Sequence, residues 1–399
     1  MRTFLRNRLQ ESFFSEGTIL MPYIVVKQKP HTQQISLEEI LSGQVNIAEN
    51  IQNPFISGTR TYFSENRHNP VFSSISVPGL LVKLKDFNRK YNELHKAERS
   101  SLYHTFYIPK RSGGLRRIDE PNYELMTALR ELKQIFECDF CALYHTSSFA
   151  YIRGRSTISA IQNHQRNDSH WFCKLDFSNF FGSTTLDFLF NMVSQIFPFS
   201  EVVNVADGRS ELYHALSLCF LNGGLPQGTP ISPTLTNLMM IPIDYKLFNS
   251  FRRERKVYTR YADDLLISSK ETFSVAETES FICGVLKEFK APFALNHNKT
   301  RYGSRAGSNW NLGVMLNKDN QITIGHAKKK RFHAMINNYA QDKLRKINWD
   351  KNDVLVLAGT ISYYKMIEED AINRIIDHYC QKYHLDIRKL IKNDCKSKM

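Results

Sequence analysis

A chain of 399 residues, 42% of them hydrophobic, holds enough apolar material for two or three lobes and a sizeable core, which excludes global disorder. Its 53 Lys and Arg against 39 Asp and Glu leave a formal charge of +14, a balance that suits polyanionic partners, nucleic acid first among them; a basic protein without such a partner is the other reading. The seven cysteines are scattered and odd in number, which excludes a disulfide framework and fits a reducing cytoplasm, and no run of eighteen apolar residues exists to span a membrane. Cys138 and Cys141 have CxxC spacing, but no second pair or histidine cluster follows, so no structural zinc is expected. The stretch Met1 to Asn7 lacks the apolar core of a signal peptide, so the expected location is cytoplasmic and no membrane partner is expected.

Residues 1–95 form an N-terminal extension, expected to be mostly helical. Ile35 to Leu41 and Val77 to Tyr91 have helical spacing, while Asn53-Pro54 and Ser57-Gly58 punctuate loops. Leu81 to Lys90 reads as a basic amphipathic helix, with a solvated face favoured over an RNA-binding surface. Phe106 to Lys110 and Leu115 to Pro121 then read as a hairpin around Arg111-Ser112-Gly113-Gly114. Its cations Lys110, Arg111, Arg116 and Arg117 would suit a triphosphate; charge that keeps an edge hairpin from aggregating is the alternative. A helix from Tyr123 to about Phe136 follows, with Leu125, Leu129, Leu132 and Ile135 on its buried side.

Ser156 or Thr157 should cap a helix running through Ile161, with Arg153 and Arg155 at its mouth. That mouth reads either as a plain capped surface helix or as a site for a backbone phosphate. Trp171 to Asp176 reads as a buried strand with an acid at its end, a costly placement unless a charge compensates it. A helix near Leu186 to Val193 and a loop from Phe197 to Arg209 come next. The string Asn222 to Pro233, dense in glycine and proline and without charge, opens a helix through Leu235, Leu238 and Met239 toward Asp244 and Leu247.

Tyr258 to Ser268 carries two adjacent acids between a β-branched, aromatic flank and an aliphatic run, the pattern of two strands joined by a turn at Ala262, Asp263 and Asp264. A turn can direct both carboxylates to one place, and close carboxylates repel unless a cation neutralises them. Divalent metal binding is therefore the simplest use of the pair, shared with Asp176, although most Asp-Asp pairs are solvated turns. Val275 to Phe289 reads as a helix and Phe293 to Thr300 as strand to loop. Trp310 to Leu316 with Gln321 to Ile324 reads as a hairpin around Asn317 to Asn320. From His326 onward the chain reads as a separate helical bundle whose cationic face includes Lys328, Lys329, Lys330 and Arg331.

These blocks, in this order over roughly residues 100 to 375, resemble the reverse transcriptase family. Tyr261-Ala262-Asp263-Asp264 is similar to its catalytic turn, and Leu175-Asp176 with Phe180-Phe181 to the strand bearing the other catalytic acid. Pro226 to Pro233 is similar to its nucleotide-binding loop, Ile108 through Pro121 to the fingers hairpin, and Gly154-Arg155-Ser156 to a template-contact block. Asn296 to Thr300 resembles the loop with a proton-donating lysine, and Leu312-Gly313 the primer grip. The resemblance implies an α+β right-hand polymerase with fingers, a palm built on an antiparallel sheet and a helical thumb. The segments expected are the N-terminal extension (1–95), fingers (96–170, with 205–235 contributing near the palm), palm (171–325) and a helical, basic thumb (326–399).

It also implies a primer 3′-hydroxyl attacking the α-phosphorus of a dNTP, with two Mg²⁺ ions, Mn²⁺ being the alternative ion, on Asp176, Asp263, Asp264 and the backbone carbonyl of Phe177. Lys299 would protonate the leaving group. Lys110, Arg116 and Arg117 would clamp the triphosphate, Phe177, Gln227 and Gly228 would lie against the nucleotide, and Phe181 would exclude a 2′-hydroxyl. Arg153, Arg155, Leu312, Gly313 and the cations Lys328 to Arg331 would meet nucleic acid.

Within the family the closest likeness is to bacterial retron-like and phage-defence-associated enzymes, supported by the thumb-like Leu357 to Tyr364. Two departures from retrons stand: His164 is displaced within Ser159 to His164, and Asn311-Leu312-Gly313 replaces Val-Thr-Gly. The implied partners are a structured noncoding RNA template, the DNA product and dNTPs, with a second copy or an accessory defence protein as further candidates. Protein-primed or weakly templated DNA synthesis is the alternative enzymatic reading, and a catalytically silent RNA-binding protein the alternative of another class.

Overall fold

The computed structural model describes residues 77–110, 113–137, 144–305 and 313–396. The readings at Ile35 to Leu41, at Asn53 to Gly58, at Cys138 and Cys141 and at Trp310 to Leu312 lie outside the described residues. The strands are β1 (Tyr103–Pro109), β2 (Leu115–Pro121), β3 (Trp171–Asp176), β4 (Val257–Tyr261), β5 (Asp264–Ser269), β6 (Arg301–Ser304), β7 (Met315–Leu316) and β8 (Ile322–Thr323). The chain divides into two compact units. One takes in the described residues up to Glu137 with Phe181–Pro242 and Phe289–Pro292; the other takes in Tyr144–Phe180, Ile243–Glu288 and the described residues from Phe293 onward. Residues 144–170 thus group with the acidic turn, because Arg260 exchanges main-chain hydrogen bonds with Ser147 (2.7 Å) and Phe149 (2.9 Å).

In the first unit the helix Val77–Lys90 buries Leu80, Leu84 and Phe87, spaced four and three apart on one face. Three of its cations are engaged by acids: Lys85 with Asp207 at 3.0 Å, Arg89 with Asp86 at 2.7 Å and Lys90 with Glu131 at 2.7 Å. β1 and β2 pair antiparallel from Tyr103 opposite Pro121 to Pro109 opposite Leu115. Pro121 has no N–H to extend the ladder. The helix Tyr123–Glu137 buries Leu125, Leu129 and Leu132 as expected, but Phe136 fills the last core position and Ile135 is only half-buried.

Two helical boundaries differ from the sequence reading. The stretch read as a loop contains the helix Phe199–Val202 and leads into Gly208–Ser217, because Phe197, Phe199 and Val202 are buried and draw it inward. A Cβ on Gly208 would stand 1.8 Å from the Val202 carbonyl oxygen, so only glycine permits that close approach. The helix expected to run from Leu235 to Leu247 is two, Ser232–Met239 and Ile241–Arg253. Pro242 offers no N–H to continue the ladder across the break.

The second unit is built on a four-stranded antiparallel sheet in the order β4-β5-β3-β6. β6 was not anticipated; Arg301-Tyr302-Gly303-Ser304 has little apolar alternation, and pairing with β3 rather than propensity holds it extended. The helix Thr157–Arg166 starts at a capping box formed by Ser156 and Ser159. Its His164, fully buried, meets Ser268 (2.6 Å) and Thr259 (2.8 Å), tying the helix to β5 and β4. The hairpin β7–β8 pairs only Met315 with Thr323 and Leu316 with Ile322.

Helices His326–Leu344, Lys351–Tyr383 and Ile387–Lys396 form a bundle with its own core of Phe332, Ile336, Tyr339, Leu357, Ile372, Ile376 and Ile387. The long helix is interrupted at Glu368 (φ −142°, ψ 67°). That carboxylate accepts from the Thr323 hydroxyl and the Ile324 N–H, both at 2.9 Å, and from Lys329 at 2.6 Å.

Candidate active site

Backbone pairing gathers the three acids at one end of the four-stranded sheet. Asp176, the last residue of β3, lies directly opposite Asp264, the first of β5. Facing residues in an antiparallel pair hold their Cβ atoms about 4.5–5.5 Å apart. Between β4 and β5 the turn needs one residue in the left-handed region; Ala262 supplies it at φ +58° and is buried. The Phe177 N–H then donates to the Asp263 carbonyl at 3.1 Å, and the Asn296 N–H to the Asp176 carbonyl at 2.7 Å. Main-chain bonds thus join residues far apart in the sequence at the acidic end of the sheet.

The shared field is visible in the acids' protonation. Burial, with Asp264 and then Asp176 adding negative charge, pushes the Asp263 carboxyl up to about 6. Burial also raises Asp264, opposed by Lys174, whose Nζ lies 2.7 Å from its Oδ2. Lys299 Nζ donates to Asp176 Oδ1 at 2.9 Å, a bond that raises the lysine and keeps it protonated.

Among the described residues, no three His, Cys, Asp or Glu side chains stand close enough to hold a metal ion as they lie. Two of the carboxylates are turned toward lysines. The donor set nevertheless fits a hard divalent cation: it is all oxygen, it converges through the backbone, and Asp263, raised by burial and then by the charge of Asp264 and Asp176, is a carboxylate that a cation would stabilise. The Phe177 ring is buried against Phe180 (5.4 Å) and Phe293 (4.9 Å), so contact with a nucleotide would have to use its main chain.

The residues read as nucleotide contacts, Phe177 apart, all belong to the first unit. Lys110 and Arg116 are exposed on the hairpin, whereas Arg117 is engaged with Asp119 at 2.8 Å, which also accepts from Thr105 at 2.7 Å. The Asp119 N–H donates to the Gln227 carbonyl at 2.7 Å, stitching β2 to the glycine- and proline-rich loop. At Gly228 (φ +121°) a Cβ would meet the Asp119 carbonyl oxygen at 2.8 Å, which explains the glycine. Phe181 is half-buried, and its carbonyl accepts from the Leu225 N–H of the same loop at 3.0 Å.

The residues read as nucleic-acid contacts divide by exposure. Arg153, Lys330 and Arg331 are exposed. The Arg155 guanidinium is spent on the carbonyls of Tyr144 (3.2 Å), His145 (2.5 Å) and Ser148 (2.6 Å). Lys328 donates to the Gly313 carbonyl at 2.8 Å and Lys329 to Glu368, while Leu312 lies outside the described residues.

Sequence reasoning missed Lys174, Arg260, Asp244 and Glu368. Two of them carried a signal. A lysine two positions before Asp176 must share its strand face, and an arginine inside an otherwise apolar strand needs a buried counter-charge.

The family model for reverse transcriptase (RNA-dependent DNA polymerase) matches residues 108–343, more than half the chain. Retron Ec83 reverse transcriptase of Escherichia coli is 26% identical over 309 residues, covering 75% of this chain and 94% of that relative. Retron Mx65 reverse transcriptase of Myxococcus xanthus is 25% identical over 302 residues, covering 72% and 66%. An apo telomerase structure from Candida tropicalis aligns at 14% identity with a TM-score of 0.44, over 79% of this chain and 64%, less than two thirds, of that one. With the acid-bearing strands and turn inside the matched region, the chain belongs to the reverse transcriptase family, an α+β right-hand polymerase of the bacterial retron-like type.

Proposed function

We propose that this RNA-directed DNA polymerase copies a structured noncoding RNA into DNA, using Asp176, Asp263 and Asp264 with two Mg²⁺ ions, as part of a cytoplasmic defence against phage. The observation that carries the catalytic part is the in-register pairing of Asp176 with Asp264 beside the Phe177–Asp263 main-chain bond. Bound divalent ions in such a site favour the nucleophilic form of the primer 3′-hydroxyl and offset charge on the departing pyrophosphate. The three carboxylates hold and orient them.

The other roles follow from chemistry and exposure. Lys299, held protonated at Nζ by Asp176, has a proton to give the leaving pyrophosphate. Lys110 and Arg116 are exposed cations of the hairpin and serve the triphosphate, while Arg117, exposed as well, braces Asp119, whose N–H anchors Gln227. Phe181 guards the sugar, so deoxynucleotides are preferred. Arg153, Lys330 and Arg331 meet nucleic-acid phosphates. The assignment to defence and to a dedicated RNA rests on the likeness to retron enzymes and on the motifs read above.

Purified protein given an RNA template, primer, dNTPs and Mg²⁺ should extend the primer, and folded Asp263→Ala protein should not. Sequencing of copurifying RNA and DNA should return one dominant RNA and its complement; a random RNA population would contradict the dedicated template. Cells carrying Asp264→Ala should lose protection from phage, and full protection by that variant would remove synthesis from the defence.

A further inference from the structure

Beside the acidic turn lies an ion pair with no solvent exposure on either side chain, Arg260 of β4 and Asp244 of the helix Ile241–Arg253. Burying two charges costs several kcal/mol per ion and is tolerated only when geometry and hydrogen bonding are complete. Here they are nearly so. Arg260 Nε donates to both Asp244 oxygens (2.9 and 3.1 Å), and Nη2 to Oδ2 (2.7 Å) and to the Ser148 hydroxyl (3.0 Å). The Tyr258 hydroxyl donates to Asp244 Oδ1 at 2.8 Å, and the Arg260 main chain is held on both sides by Ser147 and Phe149.

The remaining nitrogen reaches the turn itself. Arg260 Nη1 donates to the Ala262 carbonyl at 3.0 Å, the carbonyl of the left-handed residue that precedes Asp263. The next carbonyl, that of Asp263, accepts from the Phe177 N–H at 3.1 Å. The two peptide planes that flank Asp263 are therefore each pinned, one by Arg260 and one by Phe177, and with them the direction of its Cβ. A packed apolar pair could replace the charges at little cost to stability. It could not hold the Ala262 carbonyl.

We propose that Arg260, braced by Asp244, is a positioning residue for polymerisation: by fixing the Ala262 carbonyl it sets where Asp263 presents its carboxylate. The inference rests on the reading of Asp263 as a catalytic acid.

Four full-length variants separate the two ideas, each read by kcat and KM for dNTP in primer extension and by Mn²⁺ binding without nucleotide, followed by electron paramagnetic resonance of the free ion. Arg260→Lys keeps the charge near Asp244 but cannot span to Ala262. It should lower kcat by about 30–100-fold and weaken Mn²⁺ binding about tenfold, with KM within about threefold of the parent. Tyr258→Phe removes a hydrogen bond from the same buried acid without touching the turn, and should change each quantity by less than about threefold. Unchanged kcat and Mn²⁺ affinity in folded Arg260→Lys would overturn the proposal, as would equal losses in Tyr258→Phe, which would make the pair merely structural. Should circular dichroism show Arg260→Lys unfolded, Asp244→Asn, which loosens the brace, is judged by the same thresholds. Asp263→Asn is the reference: activity retained there defeats the reading of Asp263 itself, whereas an inactive Asp263→Asn beside an unaffected Arg260→Lys defeats only the positioning role.

Discussion

Asp176 and Asp264 face one another across the β3–β5 ladder, and a different lysine holds each carboxylate, Lys299 at 2.9 Å and Lys174 at 2.7 Å. The third acid, Asp263, is held by no such cation among the described residues, and burial, with the charge of its two neighbours, pushes its carboxyl up to about 6.

That shift has a definite sign. The folded protein keeps the Asp263 proton up to about pH 6, whereas the unfolded chain releases it near the ordinary aspartate value of about 4. The penalty on the fold therefore builds as pH rises from about 4 to about 6, is complete above 6, and is relieved as pH falls back through that window. Asp263→Asn should raise stability at pH 7.5 by on the order of 1–2 kcal/mol in chelator, read by urea unfolding, and the gain should shrink as pH falls below about 6 and vanish below about pH 4. Polymerisation should run the opposite way and fall as pH drops below about 6, since a protonated acid cannot serve a cation. An Asp263→Asn protein no more stable than its parent at pH 7.5 would contradict this field.

The two lysines should part company on mutation. Lys174 is largely enclosed, so Lys174→Ala leaves Asp264 buried beside other acids and should cost about 1–3 kcal/mol of stability. Lys299 is mostly exposed, so Lys299→Ala should cost less than about 1 kcal/mol yet slow the chemical step roughly 10–100-fold. Denaturant melts beside single-turnover rates test the contrast; equal stability losses would contradict it.

Gly228→Ala should destabilise by more than about 1 kcal/mol and raise KM for dNTP, because the backbone sits at φ +121° and the new methyl would meet the Asp119 carbonyl at 2.8 Å. Thermal melting and steady-state kinetics check both halves. A neutral substitution would mean the loop can move off β2 without consequence.

Glu368→Ala removes the acceptor for Thr323, Ile324 and Lys329 at one stroke, so about 2–4 kcal/mol should be lost. Hydrogen exchange at Ile324 should speed up in that variant while Leu265 and Ile267 in β5 stay protected. Uniform loss of protection across the sheet would contradict a local role.

Much of this architecture could be read from residue order because local signals and tertiary demands agree. Ser156 announced its helix, Pro121 its strand end, and the apolar run from Trp171 its central strand, and all three stand where expected. The reading slipped where a distant partner decided the outcome. β6 is extended because β3 pairs with it, and the helix Phe199–Val202 forms because its apolar residues have a core to enter. The candidate site shows the same division. Its acids were legible as a turn and a strand end, but Lys174, Asp244 and Arg260 take their meaning from partners up to 112 residues away, which no local pattern encodes. The cations of the C-terminal bundle were legible as charge only; that Lys328 and Lys329 are engaged within the protein while Lys330 and Arg331 are exposed depends on which way each faces.

The most direct test of the central claim is single-turnover incorporation of one dNTP onto an RNA-templated primer with saturating Mg²⁺, comparing the parent with folded Asp176→Asn and Asp264→Asn. Three acids acting as one unit predict a loss of ~1000-fold or more in each variant, with template–primer affinity unchanged. Incorporation within about tenfold of the parent by either folded variant would contradict the assignment of the Asp176–Asp264 pair to catalysis.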